Sequence, residues 1–148
     1  MLDRDHVKRF NRDYGHDAGD AVLTAFASLM LGFRTGSAIA CRYGGEEFLL
    51  VLTDIDRDHA RQRLDDFRNS VTRLVLHHRG QALPGMTVSI GLALFPDHGR
   101  HAAELVTAAD QALYRAKHSG RNRVVLAGEG DEGDTPHDNA PPAPAEAD

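Results

Sequence analysis

Apolar residues recur along this chain in two rhythms. Val22, Phe26, Leu29, Met30 and Phe33 are three or four apart, which predicts a helix over 18–33 with one face inward. Ala60, Leu64, Phe67, Val71 and Leu74 step the same way. With Asp54–Asp58 as the entry, they predict a helix running to about His78. Leu105, Ala109, Ala112, Leu113 and Ala116 predict a third over 101–119, stopped by Gly120. The second rhythm has a period of two. Met86, Val88, Ile90, Leu92 and Leu94 alternate with mostly small residues, which predicts a strand with one strongly apolar face. Gly91 within it lets a neighbour approach the backbone. Two apolar runs, before Arg42 and after Glu47, flank Gly44-Gly45 and predict a hairpin over 37–52, with the glycines taking positive φ. Residues 2–7 read as the end of a strand and 123–127 as a short last strand. The polar stretch 8–20 reads as a short helix or turn, then a loop, with Asp17 or Asp20 entering the next helix.

The resulting order is β-α-β-β-α-β-α-β. Strands joined by helices, with one hairpin, predict an α/β (α+β) fold: a ferredoxin-like sandwich with helices flanking the sheet. With 148 residues there is room for one domain and a real core. That domain is expected over 1–127. Residues 128–148 are mostly Gly, Pro, Asp, Glu and Ala with almost no large apolar residue, so a disordered acidic tail is expected there.

The tail changes how the charge is read. The net charge is −5, but seven of the acids fall after Ala127, where no Lys or Arg occurs; the rest holds 15 acids against 17 bases. That surplus is too small to indicate a duplex nucleic-acid binder, yet it leaves room for a local phosphate site. One cysteine, Cys41, excludes an internal disulfide and suits a reducing, cytoplasmic setting. No apolar run is long enough to span a bilayer.

The candidate chemistry centres on Arg42-Tyr43-Gly44-Gly45-Glu46-Glu47-Phe48. A carboxylate pair beside a backbone without side chains is suited to holding a hard cation against a phosphate. The same residues also read as an ordinary turn with solvated glutamates.

Five ordered pieces resemble the GGDEF family of diguanylate cyclases, in its GGEEF variant. They are Asp3-x-Asp5-His6-x-Lys8, then Asn11-x-x-Tyr14-Gly15-His16-Asp17-x-Gly19-Asp20, the glycine-glutamate stretch, Val88-Ser89-Ile90-Gly91, and Ala109-Asp110-x-Ala112-Leu113-Tyr114-x-Ala116-Lys117-x-x-Gly120-Arg121-Asn122. The resemblance covers Leu2 to about Leu126. It implies a palm-type core with a mostly antiparallel central sheet, and condensation of two GTP into cyclic di-GMP and two pyrophosphates. In that chemistry a 3′-hydroxyl attacks an α-phosphate in line with the departing pyrophosphate. The resemblance makes Asp3, Glu46 and the carbonyl of Arg4 ligands of Mg²⁺, with Mn²⁺ the other ion that suits them. Asp3 and Glu46 are expected to face each other across paired strands. Glu47 is a second acidic contributor, to the metal or to hydroxyl activation. Lys117 and Arg121, four apart and so expected on one helix face, would contact the triphosphate. Asn11 and Asp20 would read guanine.

Each residue also has an ordinary reading. Asp3 suits a solvated terminal acid, Lys117 and Arg121 a helix C-terminus, Asn11 a turn and Asp20 a helix cap. The histidines match no common ligand spacing and read as surface residues. Three departures stand out. Arg12 replaces an acid usual in the family. Thr35 and Ala38 replace the charged pair of its product-inhibition site, so tight inhibition there is not expected. The family's opening helix and most of its first strand lie before Asp3, so the sequence reads as N-terminally truncated, with any upstream sensory domain also outside it. The resemblance implies a homodimer with one GTP per half-site. The alternatives are a truncated, inactive module that binds GTP or a protein partner, and another palm-type nucleotidyl cyclase or polymerase fragment.

Overall fold

The computed structural model describes residues 1–33 and 36–130. Elements follow in the order β1 (Leu2–Arg4), α1 (Val7–Tyr14), α2 (His16–Phe33), β2 (Ile39–Arg42), β3 (Glu47–Val51), α3 (Arg57–Thr72), β4 (His77–His78), β5 (Gln81–Ala82), β6 (Val88–Leu92), α4 (Ala102–His118) and β7 (Val124–Leu126). Five strands form one sheet in the order β2-β3-β1-β6-β7. All neighbours are antiparallel except β6 and β7, which are parallel. This is the expected α+β sandwich, with β1 at its centre.

Strand alternation sends successive side chains to opposite faces. Leu2, Phe48, Val88, Ile90 and Leu92 point to one face, where Phe26 and Met30 of α2 and Leu64, Phe67 and Val71 of α3 meet them in the main core. Phe26 anchors this layer, with ring centroids 5.1 Å from Phe48 and 5.6 Å from Phe67. The other face is thinner. There Ala109 and Leu113 of α4 pack on Met1, Leu49 and Ala93.

Gly91 sets how close α4 lies. A Cβ on it would fall 2.0 Å from the carbonyl oxygen of Ala109 and 2.3 Å from the backbone nitrogen of Leu113. No L side chain fits, so the helix backbone lies directly against β6. Asp56 caps α3 by accepting the His59 N–H at 2.9 Å, in keeping with the expected acidic entry. Glu104 ties down the start of α4 by accepting the N–H groups of Arg100 and His101 at 2.8 and 3.2 Å.

Four expectations change. The short helix expected after β1 is α1, but no loop follows it: Gly15 at φ 89° alone separates it from α2, which begins at His16 rather than about Ala18, with Asp17 in its first turn as expected of an entry residue. Helix α3 ends at Thr72 rather than near His78. The N–H of Arg73 turns back to the carbonyls of Ser70 and Val71, and His77–His78 pairs with Gln81–Ala82 as a small hairpin. Arg79 and Gly80, at φ 51° and 77°, form its two-residue turn, the left-handed pair that suits strand twist. Neither Gly44 nor Gly45 has a left-handed φ. Finally, Gly128–Gly130 belong to the folded body, because Glu129 pairs with Arg61 of α3 and accepts the Leu126 N–H at 3.3 Å. Residues 131–148, the rest of the expected tail, lie outside the described residues, as does Thr35; Ala38 is buried.

The close contact at Gly91 yields a direct prediction. Replacing Gly91 with Ala forces α4 off the sheet and lowers stability by at least about 1–3 kcal/mol. Urea unfolding measures this as a lower midpoint with an unchanged slope; an unchanged midpoint counts against the packing described.

Candidate active site

Three successive charged residues at the middle of the sheet, Asp3, Arg4 and Asp5, are all buried. Burying a charge is costly unless something compensates it. The compensation differs for each, and together these partners outline the site.

Asp3 points to the α4 face. One of its oxygens accepts from the ammonium of Lys117, in the last turn of α4. The other, Oδ1, is buried with no hydrogen-bond partner. Burial pushes the Asp3 carboxyl up and the Lys117 contacts pull it down, with burial the stronger effect. Across the strand pair, the residue opposite Asp3 is Glu47. This corrects the expected register, in which Glu46 faced Asp3. Glu46 stands one residue before β3, half-buried in the turn, and its carboxylate is a charged neighbour of Arg4. Glu47 is held above the usual carboxylate range, first by burial, then by the negative charges of Asp110 and Asp3, with Lys117 opposing them.

Arg4 points to the opposite face. Its Nε is buried without a partner, and burial lowers its pKa against the favourable charges of Glu46 and Asp3. The turn between β2 and β3 is held from its own side. Arg42 donates twice to the Gly45 carbonyl, at 3.0 and 2.5 Å, and the Tyr43 and Gly44 N–H groups donate to the Glu47 carbonyl at 2.9 and 3.3 Å. A Cβ on Gly45 would meet open space, and one on Gly44 only Glu47 Oε2 at 3.9 Å. The glycines therefore leave bare backbone beside two carboxylates rather than supplying an unusual φ.

A cavity of about 310 Å³ opens between α1, α2 and the approach to β6, lined by Arg4, Asn11, Tyr14, Gly19, Val22 and Met86, among others. Asn11 Oδ1 is buried there without a partner. It rests on Gly19, where a Cβ would come within 1.9 Å of that oxygen. Asp20, the other base-reading candidate, is exposed on α2 and does not line the cavity.

Lys117 and Arg121 do not share a helix face. Helix α4 ends at His118, and Gly120, Arg121 and Asn122 follow with φ of 114°, 61° and 46°. The structure thus joins Asp3, Glu47 and Lys117 directly, puts Glu46 beside Arg4, and places Arg4 and Asn11 on one cavity. Arg121 follows the end of α4, on a left-handed loop.

Among the described residues, no three His, Cys, Asp or Glu side chains converge as a metal cluster. The donor set is instead sparse: the orphaned oxygen of Asp3, the neighbouring glutamates and a strand-end carbonyl. This fits a hard cation that keeps phosphate or water in its shell. Two contributors were not singled out from sequence: Asp5, seen only as a motif letter, and Asp110. Asp110 precedes Lys117 by seven residues, two helical turns, and that spacing was the available signal for it.

Comparison with known proteins identifies the family. The family described as "Diguanylate cyclase, GGDEF domain" matches residues 1–123. Diguanylate cyclase DgcP of Pseudomonas aeruginosa is 43% identical over 129 residues, which is 86% of this chain and 19% of that protein, so the chain spans about a fifth of that relative's length. The GGDEF domain of DgcB from Caulobacter crescentus, solved in complex with c-di-GMP, superposes with a TM-score of 0.79 at 36% identity, covering 85% of this chain and 74% of that one. The active GGEEF domain of a diguanylate cyclase from Vibrio cholerae gives 0.76 at 28% identity, covering 87% and 81%. With a family match over residues 1–123, relatives alike over most of the chain and a shared fold, this chain belongs to the GGDEF domain family of diguanylate cyclases.

Proposed function

We propose that the chain, as residues 1–127 with the adjoining turn, is a diguanylate cyclase domain that condenses two GTP into cyclic di-GMP and two pyrophosphates. The observation that carries this reading is the buried Asp3, which has one oxygen unpartnered and lies opposite Glu47, together with a cavity lined by its neighbour Arg4 in which Asn11 Oδ1 is also unpartnered. Both are acceptors whose burial makes sense once a ligand supplies the missing partner.

Asn11 Oδ1 accepts from the N1 or N2 group of guanine, and Asp20, exposed one residue after the cavity-lining Gly19, is the second acceptor. The first-turn N–H groups of α1 have no carbonyl one turn back and attract phosphate. Lys117 leaves Asp3 to bind the triphosphate, with Arg121 as its partner. Glu47, held above the usual carboxylate range, is suited to take the 3′-hydroxyl proton. Glu46, Asp3 and the Arg4 carbonyl hold the cation. The family generally depends on a divalent metal; here we assign Mg²⁺, with Mn²⁺ an equivalent fit, and when bound it offsets charge on the phosphates. One cavity of this kind holds one nucleotide, so joining two GTP calls for a second copy of the chain facing the first. A GTP-using enzyme works in the cytoplasm, and no helix among the described residues is long and apolar enough to cross a membrane.

Three outcomes test this reading. Incubation with GTP and Mg²⁺ yields cyclic di-GMP by mass spectrometry, and Glu46→Gln or Glu47→Gln lowers the rate about 10²–10⁴-fold. A folded chain that binds GTP without product is instead a non-catalytic GTP-binding module. Asn11→Ala raises the KM for GTP roughly tenfold, the loss of about one buried hydrogen bond, and narrows the preference for GTP over ATP. The third outcome concerns pH. The folded pKa values of Asp3 and Glu47 lie above their unfolded ones. The folded chain therefore binds more protons in that window, and metal-free stability falls as pH rises through it. A cation displaces those protons, so the melting-temperature gain on adding Mn²⁺ is larger at about pH 8 than at about pH 5. A pH-independent gain places the ion elsewhere.

A further inference from the structure

Asp5 is the buried charge that the proposed chemistry leaves unused. It lies just past β1, and its carboxylate accepts three hydrogen bonds: from Thr87 Oγ1 at 2.6 Å, from Ser89 Oγ at 2.7 Å and from the backbone N–H of Asn122 at 3.1 Å. Its own N–H donates to the Thr87 carbonyl at 2.9 Å. The first two donors belong to β6 and the stretch leading into it. The third is 117 residues away, in the loop after α4.

That loop is built unusually. Gly120, Arg121 and Asn122 are three successive left-handed residues, and Arg121 carries a side chain that disfavours this region. Such backbone persists only where its surroundings hold it. Its ends are fixed by the Arg121 N–H on the Ala116 carbonyl at 3.0 Å and by the Ile90 N–H on the Arg123 carbonyl at 2.9 Å. From α3, Arg68 Nη1 donates to Asn122 Oδ1 at 2.9 Å. Asp5 is the anchor that comes from just past the strand bearing Asp3.

We propose that Asp5 is a positioning residue, whose carboxylate clamps the Asn122 N–H and so fixes the loop carrying Arg121 relative to Asp3. Asp3 of β1 and Asp5 just past it then set both ends of the phosphate site: Asp3 at the cation and Asp5, through the loop, at the guanidinium. The clamp rests on the reading above, in which Arg121 meets the triphosphate. Thr87 and Ser89 have hydroxyls that turn to donate or accept, whereas the Asn122 N–H only donates. An amide oxygen at position 5 therefore preserves the clamp, and a side chain too short to reach Asn122 breaks it.

The test measures GTP affinity by calorimetry, Mn²⁺ affinity without nucleotide, and hydrogen exchange over 119–123. Asp5→Ala is expected to weaken GTP binding about tenfold, speed exchange in that segment and leave Mn²⁺ affinity within about twofold. Asp5→Asn is expected to stay close to wild type. In an Arg121→Ala background, Asp5→Ala is expected to add little, because it acts through that residue. Where Asp5→Ala does not fold, Asp5→Ser takes its place: it keeps a hydroxyl for Ser89 but does not reach Asn122. Full additivity with Arg121→Ala, unchanged GTP affinity in either variant, or failure of both to fold overturns the clamp; in the last case Asp5 supports the fold as a whole. Wild-type chain that does not bind GTP sinks the cyclase reading itself, whereas wild-type binding with an unaffected variant sinks the Asp5 assignment alone.

Discussion

Charge at the centre of the sheet is the constraint to which the rest of the structure answers. A three-residue strand with neighbours on both sides would ordinarily be apolar, as Leu2 is. Instead Asp3 and Arg4 sit back to back on opposite faces, with Asp5 just beyond, all buried. A carboxylate in that position needs a cation, hydrogen-bond donors or a ligand. Lys117 reaches Asp3 because α4 lies directly on the backbone at Gly91. A bulkier residue there would lift the helix and its ammonium together. The thin packing on that face and the reach of Lys117 are thus one fact.

Much of this was legible in the sequence, because the signals were periodic. The inward faces of α2, α3 and α4 follow the three-and-four spacing of their apolar residues, and Val88, Ile90 and Leu92 follow the alternation of β6. Gly91 was readable as a close approach, since an isolated glycine in a strand has few other reasons to be there. Asp3 and Glu46–Glu47 fall near one another because their motifs lie in β1 and at the start of the paired β3.

What escaped the sequence was set by register and by local backbone. Glu46 and Glu47 are indistinguishable on paper, and the face each occupies depends on a pairing offset of a single residue. The spacing from Lys117 to Arg121 looks helical, but Gly120 turns the chain left-handed before the second is reached. The β4–β5 hairpin is too short to show a period, and the run of apolar steps through Leu74 masks the end of α3. Asp5 is invisible in another way: its partners lie 82, 84 and 117 positions away.

The contact between Gly19 and Asn11 carries a consequence of its own. The asparagine oxygen occupies the volume that any other residue at position 19 would fill with carbon. On the proposed reading, base selection in this cavity depends on an atom that is not there. A single methyl group at that point would deflect the amide while leaving every charge, the central sheet and the phosphate end unaltered. On that reading, such a chain would read the base less well yet be otherwise sound, with recognition and reaction uncoupled by a lesion that no electrostatic survey would detect.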